Sequence, residues 1–383
     1  MKKSFNILLL SGEVSADYYG SLLAEKLKEL DPSTKIFAIG GQNLAKIADC
    51  FIFETANQHH IGFSTLIKSK FWKQVLKELN QTIIKNQIDL AVIIDFGFYN
   101  FKLARLLKKF SLPIITFITP NFWIWNDIKR AKGIINYSQK IVNIYPDEFK
   151  YYQNLKADNY YFGHPLVKLI PENTWKINKN SQHILLLPGS RKVEIKLLLP
   201  VMLKTVKKLQ IELPNAHFYL AATNDHFLNL IEFYLEKEKI NNMPILINQD
   251  RVNLFENIDF VITASGTSTL ECVLFNKPMV VLGALSKFTF FIGKYILKLK
   301  LKYISLPNII LNKVVVKEFI QNNLKPDKIA LEVLRLLNKD DHKDLFCDYQ
   351  LIRAALDLNY DVFLETAKLI LKKDFYVNKC SYK

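Results

Sequence analysis

The sequence offers no cysteine pattern on which a disulfide framework or a metal site could be built. Only four of its 383 residues are cysteine, and they are scattered at Cys50, Cys272, Cys347 and Cys380. Their spacing fits neither a zinc site nor a redox motif. We therefore interpret them as free thiols in a reducing compartment, and we expect no structural zinc.

Long apolar runs are also missing. No window contains the roughly 18 uncharged apolar residues that a membrane-spanning helix needs. The chain starts like a signal peptide, with Lys2 and Lys3 before an apolar run. That run is short and leads directly into Ser11-Gly12-Glu13, which favours a first β-strand. The sequence thus predicts a soluble or peripheral protein.

Acidic residues are too few to balance the basic ones. The chain has 52 lysines and arginines against 36 acidic residues, a formal net charge of +16. Such a charge favours a polyanionic partner: nucleic acid, an anionic membrane or a phosphorylated substrate. No recognised nucleic-acid motif and no aromatic and basic platform accompanies the charge, so we expect no nucleic-acid partner.

Length and pattern indicate the fold class. A chain of 383 residues, half of them hydrophobic, is long for one domain. In both halves, strand-like apolar runs end in glycine or polar joints before helical patterns, which is typical of doubly wound α/β domains. We predict Rossmann-like domains over residues 1–170 and 181–350. The chain from Lys313 to Leu371 is predicted to be helical, with helix 351–371 bracing the first domain.

The stretch from Phe260 to Glu271 predicts a strand, a turn of small residues and the start of a helix. Gly266 allows close backbone approach to a ligand, and the free amides of a helix's first turn attract an anion. Glu271 lies one turn into the helix, where a carboxylate can accept hydrogen bonds from ribose. A sugar diphosphate fits this joint; the alternative is an N-capped helix without a ligand. Three hydroxyl groups complete the predicted site: Ser265, Thr267 and Thr269.

A second joint in this half follows the predicted strand His183–Leu187 and contains Ser190 and Arg191. In a parallel sheet this joint and the one at Gly266 face the same carboxyl edge. A fixed guanidinium beside helix-start amides suits a diphosphate leaving group. The alternative for Arg191 is a surface salt bridge.

The first half carries carboxylates at comparable joints. Glu13 and Asp17 follow the first strand, and Asp95 ends the buried strand that begins at Leu90. A carboxylate at the carboxyl edge of a sheet is placed to act as a general base or to contact a sugar. The alternative for each is a cap of a helix or turn.

Two segments are candidates for contact with apolar groups. Trp123 and Trp125 lie in a loop after a strand, where they would line an acyl-chain or sugar pocket or simply pack in the core. The segment from Lys287 to Lys302 mixes lysines with bulky apolar residues. This pattern favours either an anionic membrane surface or a core-facing helix with a solvated lysine side.

Seven short motifs, in order and over nearly the whole chain, resemble those of the lipid-A-disaccharide synthase family. Each is weak alone, but seven in the right order are a specific signal. The motifs are Ser11-Gly12-Glu13-Val14-Ser15-Ala16-Asp17, Ile39-Gly40-Gly41, Thr119-Pro120-Asn121-Phe122-Trp123-Ile124-Trp125, Phe162-Gly163-His164-Pro165-Leu166, Leu187-Pro188-Gly189-Ser190-Arg191, Ala264-Ser265-Gly266-Thr267-Ser268-Thr269-Leu270-Glu271 and Ser305-Leu306-Pro307-Asn308.

The resemblance implies two Rossmann-like domains of GT-B type that face each other across a cleft, with C-terminal helices. It implies a hexosyltransferase that moves 2,3-diacylglucosamine from UDP onto 2,3-diacylglucosamine 1-phosphate, with inversion, to form a β-1,6 disaccharide and UDP. Neither a metal nor another cofactor is implied. It also implies peripheral association with the anionic inner face of the cytoplasmic membrane, and a homodimer is one candidate assembly.

The resemblance assigns three groups of side chains. The candidate general bases are Asp95 and Glu13. Contacts with the acceptor and its lipid chains are expected from Ser15, Asp17, Trp123 and Trp125. Contacts with the donor are expected from Ser190, Arg191, Ser265, Gly266, Thr267, Thr269, Glu271 and Asn308.

The chain departs from the family's pattern in several places, of which two bear most on the site. The family usually carries Asp-x-Pro-Asp-Phe-Asn, and its second aspartate is the favoured base, but here Phe98 stands in that position. Either Asp95 or Glu13 then serves as base, or turnover is weak, or the acceptor differs. A UDP-sugar transferase with a non-lipid acceptor and a catalytically silent homologue are therefore the alternatives. Further along, Gly283-Ala284 replaces a usual tyrosine and basic residue.

Overall fold

The computed structural model describes the chain except for short segments, and it divides the chain into two compact units. Unit 1 comprises Met1–Pro165 and Leu356–Lys383, and unit 2 comprises Leu166–Ala355. The described residues are 4–55, 65–97, 100–172, 182–222, 227–240, 243–247, 251–284, 302–338 and 342–372.

Unit 1 is built on a parallel sheet with seven strands in its described part. The strands are β1 Asn6–Ser11, β2 Lys35–Gly40, β3 Cys50–Glu54, β4 Leu90–Ile94, β5 Ile114–Phe117, β6 Lys140–Asn143 and β7 Asn159–Tyr161. Their order is β3-β2-β1-β4-β5-β6-β7, so the direction of winding reverses between β1 and β4. Ligands of open α/β sheets bind at such a point, outside the carboxyl ends of the strands.

Helices follow the strands of unit 1. They are α1 Val14–Leu30, α2 Gln42–Ile47, α3 Thr65–Asn86, α4 Asn100–Lys109, α5 Ile128–Tyr137 and α6 Pro146–Asn154. All five residues of β4 are buried, as expected of a central parallel strand covered on both faces. The strand consequently appears in the sequence as a continuous apolar run.

Unit 2 repeats the arrangement with six strands among the residues that the structure describes. The strands are β8 His183–Leu187, β9 His217–Ala222, β10 Ile245–Ile247, β11 Phe260–Ala264, β12 Met279–Gly283 and β13 Lys317–Ile320. The order β10-β9-β8-β11-β12-β13 puts the reversal between β8 and β11.

The described helices of unit 2 include a short one that begins at the boundary with unit 1. They are α7 Pro165–Leu169, α8 Lys192–Glu212, α9 Leu228–Lys237, α10 Arg251–Glu256, α11 Thr267–Leu274, α12 Leu306–Leu311, α13 Pro326–Leu337 and α14 Lys343–Leu356. The apolar faces of α8, α9 and α13 pack with the sheet in one continuous core, which includes Leu186, Leu203 and Ile262.

β13 corrects the prediction that the chain from Lys313 onward is helical. Phe319 of β13 is buried, and the strand pairs in parallel with β12, matching Val280 with Lys317 and Gly283 with Ile320. A four-residue edge strand carries too little periodicity to be recognised in the sequence. Pairing with β12 therefore decides its conformation.

The C-terminal return consists of two helices where one segment, 351–371, was predicted. α14 ends at Leu356, and α15 spans Val362–Leu371 in unit 1. Asp361 caps α15, because its carboxylate accepts hydrogen bonds from the amides of Phe363 and Leu364, each at 3.0 Å. The ring of Phe363 lies 6.1 Å from that of Tyr19 on α1. Among the described helices, none is both long and apolar enough to cross a bilayer.

Candidate functional site

In unit 2, the two joints predicted to bind the donor leave the sheet side by side. β8 and β11 are neighbours, and Leu187 of β8 pairs with Thr263 of β11. The turns at Gly189 and Gly266 come shortly after these paired residues, at the carboxyl edge. This edge, at the reversal of winding, is the position in which open α/β sheets bind ligands.

The start of α11 has the geometry of an anion site. Gly266 precedes the helix with φ +145° and ψ −159°, a backbone conformation that is essentially restricted to glycine. A Cβ at Gly266 would meet no atom of the described residues within 4 Å, so they leave the space there open. Thr267, the first helical residue, is half-buried, and Glu271 one turn later is buried. First-turn amides of a helix lack intrahelical partners and attract anions.

Two of the predicted hydroxyl ligands also hold a neighbouring loop. Ser265 Oγ donates a hydrogen bond to the carbonyl oxygen of Ile304 at 2.6 Å. Thr269 Oγ1 donates to the carbonyl oxygen of Gly266 at 2.7 Å and accepts from the amide of Leu306 at 3.4 Å. The loop that begins at Ile304 is thereby attached to the start of α11.

Asn308, predicted to contact the donor, has its side chain engaged within the protein. The residue is 1% exposed. Its Oδ1 accepts from the amides of Val315 and Val316 at 2.8 and 2.9 Å, and its Nδ2 donates to the Val316 carbonyl oxygen and to Glu318 Oε1, both at 2.9 Å. These bonds use both donors and both acceptor positions of a carboxamide. The structure thus shows Asn308 bracing the chain before β13, and its contact with the donor stays a prediction.

Arg191 and Ser190 lie at the start of α8, where Glu194 organises both. Glu194 Oε2 accepts from the amides of Ser190 and Arg191 at 3.2 and 3.3 Å, and Oε1 accepts from Arg191 Nη1 at 3.3 Å. Gly189 has φ +108°, and a Cβ there would collide with Glu194. The guanidinium, 41% exposed, is therefore held at the helix start. Sequence reasoning did not assign Glu194, although a glutamate at the third helical position is a capping signal.

In unit 1 the two candidate bases follow neighbouring strands. Ser11 of β1 pairs with Ile94 of β4, so Glu13 and Asp95 come just after paired positions at the carboxyl edge. The two joints touch, because a Cβ at Gly12 would lie 3.0 Å from the Cα of Phe96. Asp95 is half-buried and has φ +38°, which is uncommon for a residue with a side chain. Phe98 lies outside the described residues.

Asp17, predicted to contact the acceptor, is buried and supports a loop. Its Oδ1 accepts from the amides of Gly41 and Leu44 at 2.6 and 3.2 Å. Its Oδ2 accepts from the amide and the side-chain nitrogen of Asn43 at 3.0 and 2.9 Å. The structure therefore gives Asp17 the role of fixing the turn between β2 and α2. Ser15 lies nearby in the first turn of α1 and is half-buried.

An aromatic stack lines the same edge of unit 1. The ring of Tyr145 lies 5.5 Å from that of Trp123 and 5.0 Å from that of His164. Burial lowers the pKa of His164 to about 3, so its imidazole is neutral at physiological pH. Burial, together with the nearby charges of Glu148 and Asp95, raises the pKa of Tyr145. Trp125 is 39% exposed.

Trp123 presents an unsatisfied donor within this stack. Its Nε1 is buried and has no hydrogen-bond partner among the residues that the structure describes. A buried donor without a partner is costly and rare. An oxygen of a bound molecule would satisfy it.

Glu148 is a buried carboxylate that sequence reasoning did not identify. It accepts from Thr119 Oγ1 at 2.5 Å, from the Thr119 amide at 3.3 Å, and from the amides of Ile144 and Tyr145 at 2.9 and 3.3 Å. Burial raises its pKa, opposed by these hydrogen bonds. It thereby joins the loops after β5 and β6. In the described part of the chain, no group of three or more His, Cys, Asp and Glu side chains is placed to hold a metal ion.

The family resemblance of the seven motifs agrees with comparisons that cover most of the chain. The profile of the lipid-A-disaccharide synthetase family matches residues 7–358. The chain belongs to this family. It is 32% identical to lipid-A-disaccharide synthase of Sulfurihydrogenibium sp., covering 93% of this chain and 94% of that protein. It is 30% identical to the Synechocystis sp. enzyme, covering 91% and 93%. The predicted family is confirmed, and so is the prediction that the chain is a glycosyltransferase of lipid A biosynthesis.

Solved structures confirm the predicted two-domain α/β fold. The MnaA–UDP structure from S. aureus matches with a TM-score of 0.66 and 13% identity, over 99% of this chain and 98% of that one. The UDP-GlcNAc 2-epimerase of Neisseria meningitidis, bound to UDP-GlcNAc, matches with a TM-score of 0.64 and 12% identity, over 96% and 99%. At these identities the likeness concerns the fold alone.

Proposed function

We propose that this chain transfers 2,3-diacylglucosamine from UDP onto the 6-hydroxyl of 2,3-diacylglucosamine 1-phosphate, and so forms the β-1,6 lipid A disaccharide 1-phosphate and UDP. Membership of the family supports the reaction. The joints of unit 2 and unit 1 support the assignment of the donor to unit 2 and of the acceptor to unit 1.

The assignment of the donor to unit 2 depends on one observation: α8 and α11 follow neighbouring strands and start at the same edge of the sheet. Arg191 is held by Glu194 beside an open glycine turn whose helix-start amides attract anions. When the bond between the anomeric carbon and the diphosphate breaks, negative charge develops on the diphosphate. A guanidinium and oriented amides stabilise that charge in the transition state.

Removal of the proton from the acceptor's 6-hydroxyl is assigned to unit 1. The acceptor's 6-hydroxyl oxygen attacks the anomeric carbon from the side opposite the diphosphate, its proton passes to a carboxylate, and UDP leaves with the bonding electron pair. Asp95 is our first candidate base because its uncommon backbone conformation holds it at the carboxyl edge. Glu13, on the adjacent joint, is the alternative.

The acceptor is proposed to lie along the aromatic stack of unit 1. Trp123 supplies an apolar face and a buried N–H that an acceptor oxygen would satisfy. Trp125 lies in the same loop as Trp123, and Ser15 lies in the first turn of α1. Asp17 would act indirectly, through the turn at Gly41.

A peripheral position on the anionic inner face of the cytoplasmic membrane, and assembly as a homodimer, belong to the same proposal. The charge of +16 and the acyl chains of both substrates support the membrane contact. Residues 287–301, most of the segment predicted to touch the membrane, lie outside the described residues.

The test is to incubate the purified protein in detergent with UDP-2,3-diacylglucosamine and 2,3-diacylglucosamine 1-phosphate, and to measure disaccharide and UDP together. We expect both products in equal amounts. Because Phe98 stands where the family has its favoured base, there is a second candidate function. In it, the protein binds a UDP-sugar but uses a different acceptor or none. UDP binding without disaccharide would support that candidate and contradict the first.

A further inference from the structure

Glu318 on β13 gathers an unusual number of hydrogen bonds for a half-buried glutamate. Its carboxylate accepts from the amides of Ile304, at 3.1 Å to each oxygen, and Ser305, at 2.9 Å. It also accepts from Ser305 Oγ at 2.5 Å and from Asn308 Nδ2 at 2.9 Å. Ser305 is the N-cap of α12, so the carboxylate lies beside the amides at the start of that helix.

Asn308 extends this attachment to the chain that leads into β13. Its Oδ1 accepts from the amides of Val315 and Val316, while its Nδ2 bonds to the Val316 carbonyl oxygen and to Glu318. The loop before α12 and the chain before β13 are therefore held as one piece. Glu318 and Asn308 are the two side chains that join them.

This piece is bonded directly to the start of α11. Ser265 Oγ donates to the carbonyl oxygen of Ile304, and the amide of Leu306 donates to Thr269 Oγ1. Thr269 in turn bonds to the carbonyl oxygen of Gly266, the residue that opens the proposed anion site. A short series of hydrogen bonds thus runs from Glu318 to Gly266.

Gly283, where the family usually has a larger residue, makes room for this arrangement. A Cβ at Gly283 would collide with the Cδ1 atom of Ile304. Ile304 therefore packs directly against the end of β12, and its backbone is brought to the position in which Ser265 and Glu318 bind it. Gly283 and the carboxylate of Glu318 thus both contribute to the position of Ile304.

We infer that Glu318 is a positioning residue for binding of the nucleoside diphosphate sugar, and that it acts on the start of α11 through the loop of residues 304–308. The inference rests on the proposed function, in which this helix start binds the donor diphosphate. Glu318 acts through the loop, whose amides its carboxylate binds. Its removal releases the loop from β13, and Ser265 and Thr269 lose a fixed partner.

The test compares Glu318→Ala and Glu318→Gln with Glu332→Gln, by calorimetric titration with UDP and by steady-state kinetics. Glu332 is a matched control because its carboxylate pairs within its own helix, with Arg335 at 2.7 Å on α13. We expect Glu318→Ala to weaken UDP binding at least tenfold and to raise the donor KM by a similar factor, with the acceptor KM unchanged. Glu318→Gln keeps one acceptor oxygen, so we expect a loss of about threefold. Glu332→Gln is expected to have no effect.

A merely structural role for Glu318 would lower the thermal transition and leave UDP affinity and donor KM within twofold of the unaltered protein, which would overturn the inference. If Glu318→Ala does not fold, Glu318→Gln and Ser305→Ala decide the question in the same assay. If the Glu318 variants bind UDP as tightly as the unaltered protein and disaccharide is made, the inference is contradicted and the proposed function is not. UDP binding that is sensitive to Glu318, without disaccharide, supports the inference and contradicts the proposed acceptor chemistry.

Discussion

The two units use carboxylates differently at equivalent edges of similar sheets. In unit 2, Glu194 binds the backbone amides of Ser190 and Arg191 after the turn at Gly189, and Glu318 binds those of Ile304 and Ser305 in the loop attached to the start of α11. In unit 1, Asp17 and Glu148 bind backbone amides, while Glu13 and Asp95 lie half-buried at the joints after β1 and β4. Unit 2 thus has the features of an anion site and unit 1 those of a proton acceptor. One type of fold used twice provides both, because the loops differ while both sheets are parallel and reverse their winding once in their described parts.

Among substitutions that test this difference between the units, we expect the largest effect from a change of Asp95. If Asp95 is the base, Asp95→Asn removes proton acceptance and lowers kcat by about 10²- to 10⁴-fold, the usual contribution of general-base catalysis. Disaccharide formation measures the effect, with Asp147→Asn, at an exposed position of α6, as the control. Full activity of Asp95→Asn together with loss in Glu13→Gln would move the base to Glu13.

The next effect concerns the stability of unit 1 in acid. The folded-state pKa of His164 is about 3, below the ordinary 6.5, so the unfolded state binds more protons as pH falls from about 6.5 towards 3. The stability that neutral His164 contributes is therefore complete above pH 6.5 and is lost across that window. By pH 5 the loss is about 2 kcal/mol.

Urea unfolding at pH 7.5 and pH 5 checks this expectation. His164→Gln should destabilise the protein at pH 7.5, because it removes the ring beside Tyr145, but should lose less stability on acidification. His217→Gln, at an exposed position of unit 2, should leave the acid sensitivity unchanged. Equal acid sensitivity in His164→Gln and the unaltered protein would show that His164 is not responsible.

A smaller effect, also different between the two units, is expected when a glycine of each unit is replaced by alanine. Gly266 and Gly97 both have positive φ, +145° and +57°, and a Cβ at either would meet no atom within 4 Å in the part of the chain that the structure describes. Alanine therefore introduces backbone strain without a clash, of roughly 1–3 kcal/mol. We expect Gly266→Ala to weaken UDP binding about tenfold and Gly97→Ala to leave it unchanged. Equal effects of the two variants would break the division between donor and acceptor units.

Much of this fold was predictable because its signals are local. Residues 260–271 contain a strand, a glycine turn and a helix start within a short stretch, and the structure has them in that order, as β11, Gly266 and α11. β13 was missed because four residues at an edge depend on their partner, β12. The glycine joint is thus recognisable from the sequence alone, whereas β13 is defined by its pairing with β12.

The supporting carboxylates were not predictable, because their partners are distant in the chain. Asp17 binds amides at Gly41 and Asn43, and Glu318 binds amides at Ile304 and Ser305. No local period connects such residues. Glu148 and Glu194 were nearer to recognition, since each stands at the third position of a helix, where a capping carboxylate is common.

The most direct test of the account is a titration of UDP into the unaltered protein, Arg191→Ala and Asp95→Asn. The assignment of the donor to unit 2 predicts that UDP binds the unaltered protein and that Arg191→Ala weakens binding at least about tenfold, or about 1.4 kcal/mol. Asp95→Asn should bind UDP within twofold of the unaltered protein. Loss of UDP binding in Asp95→Asn with full affinity in Arg191→Ala would contradict the account.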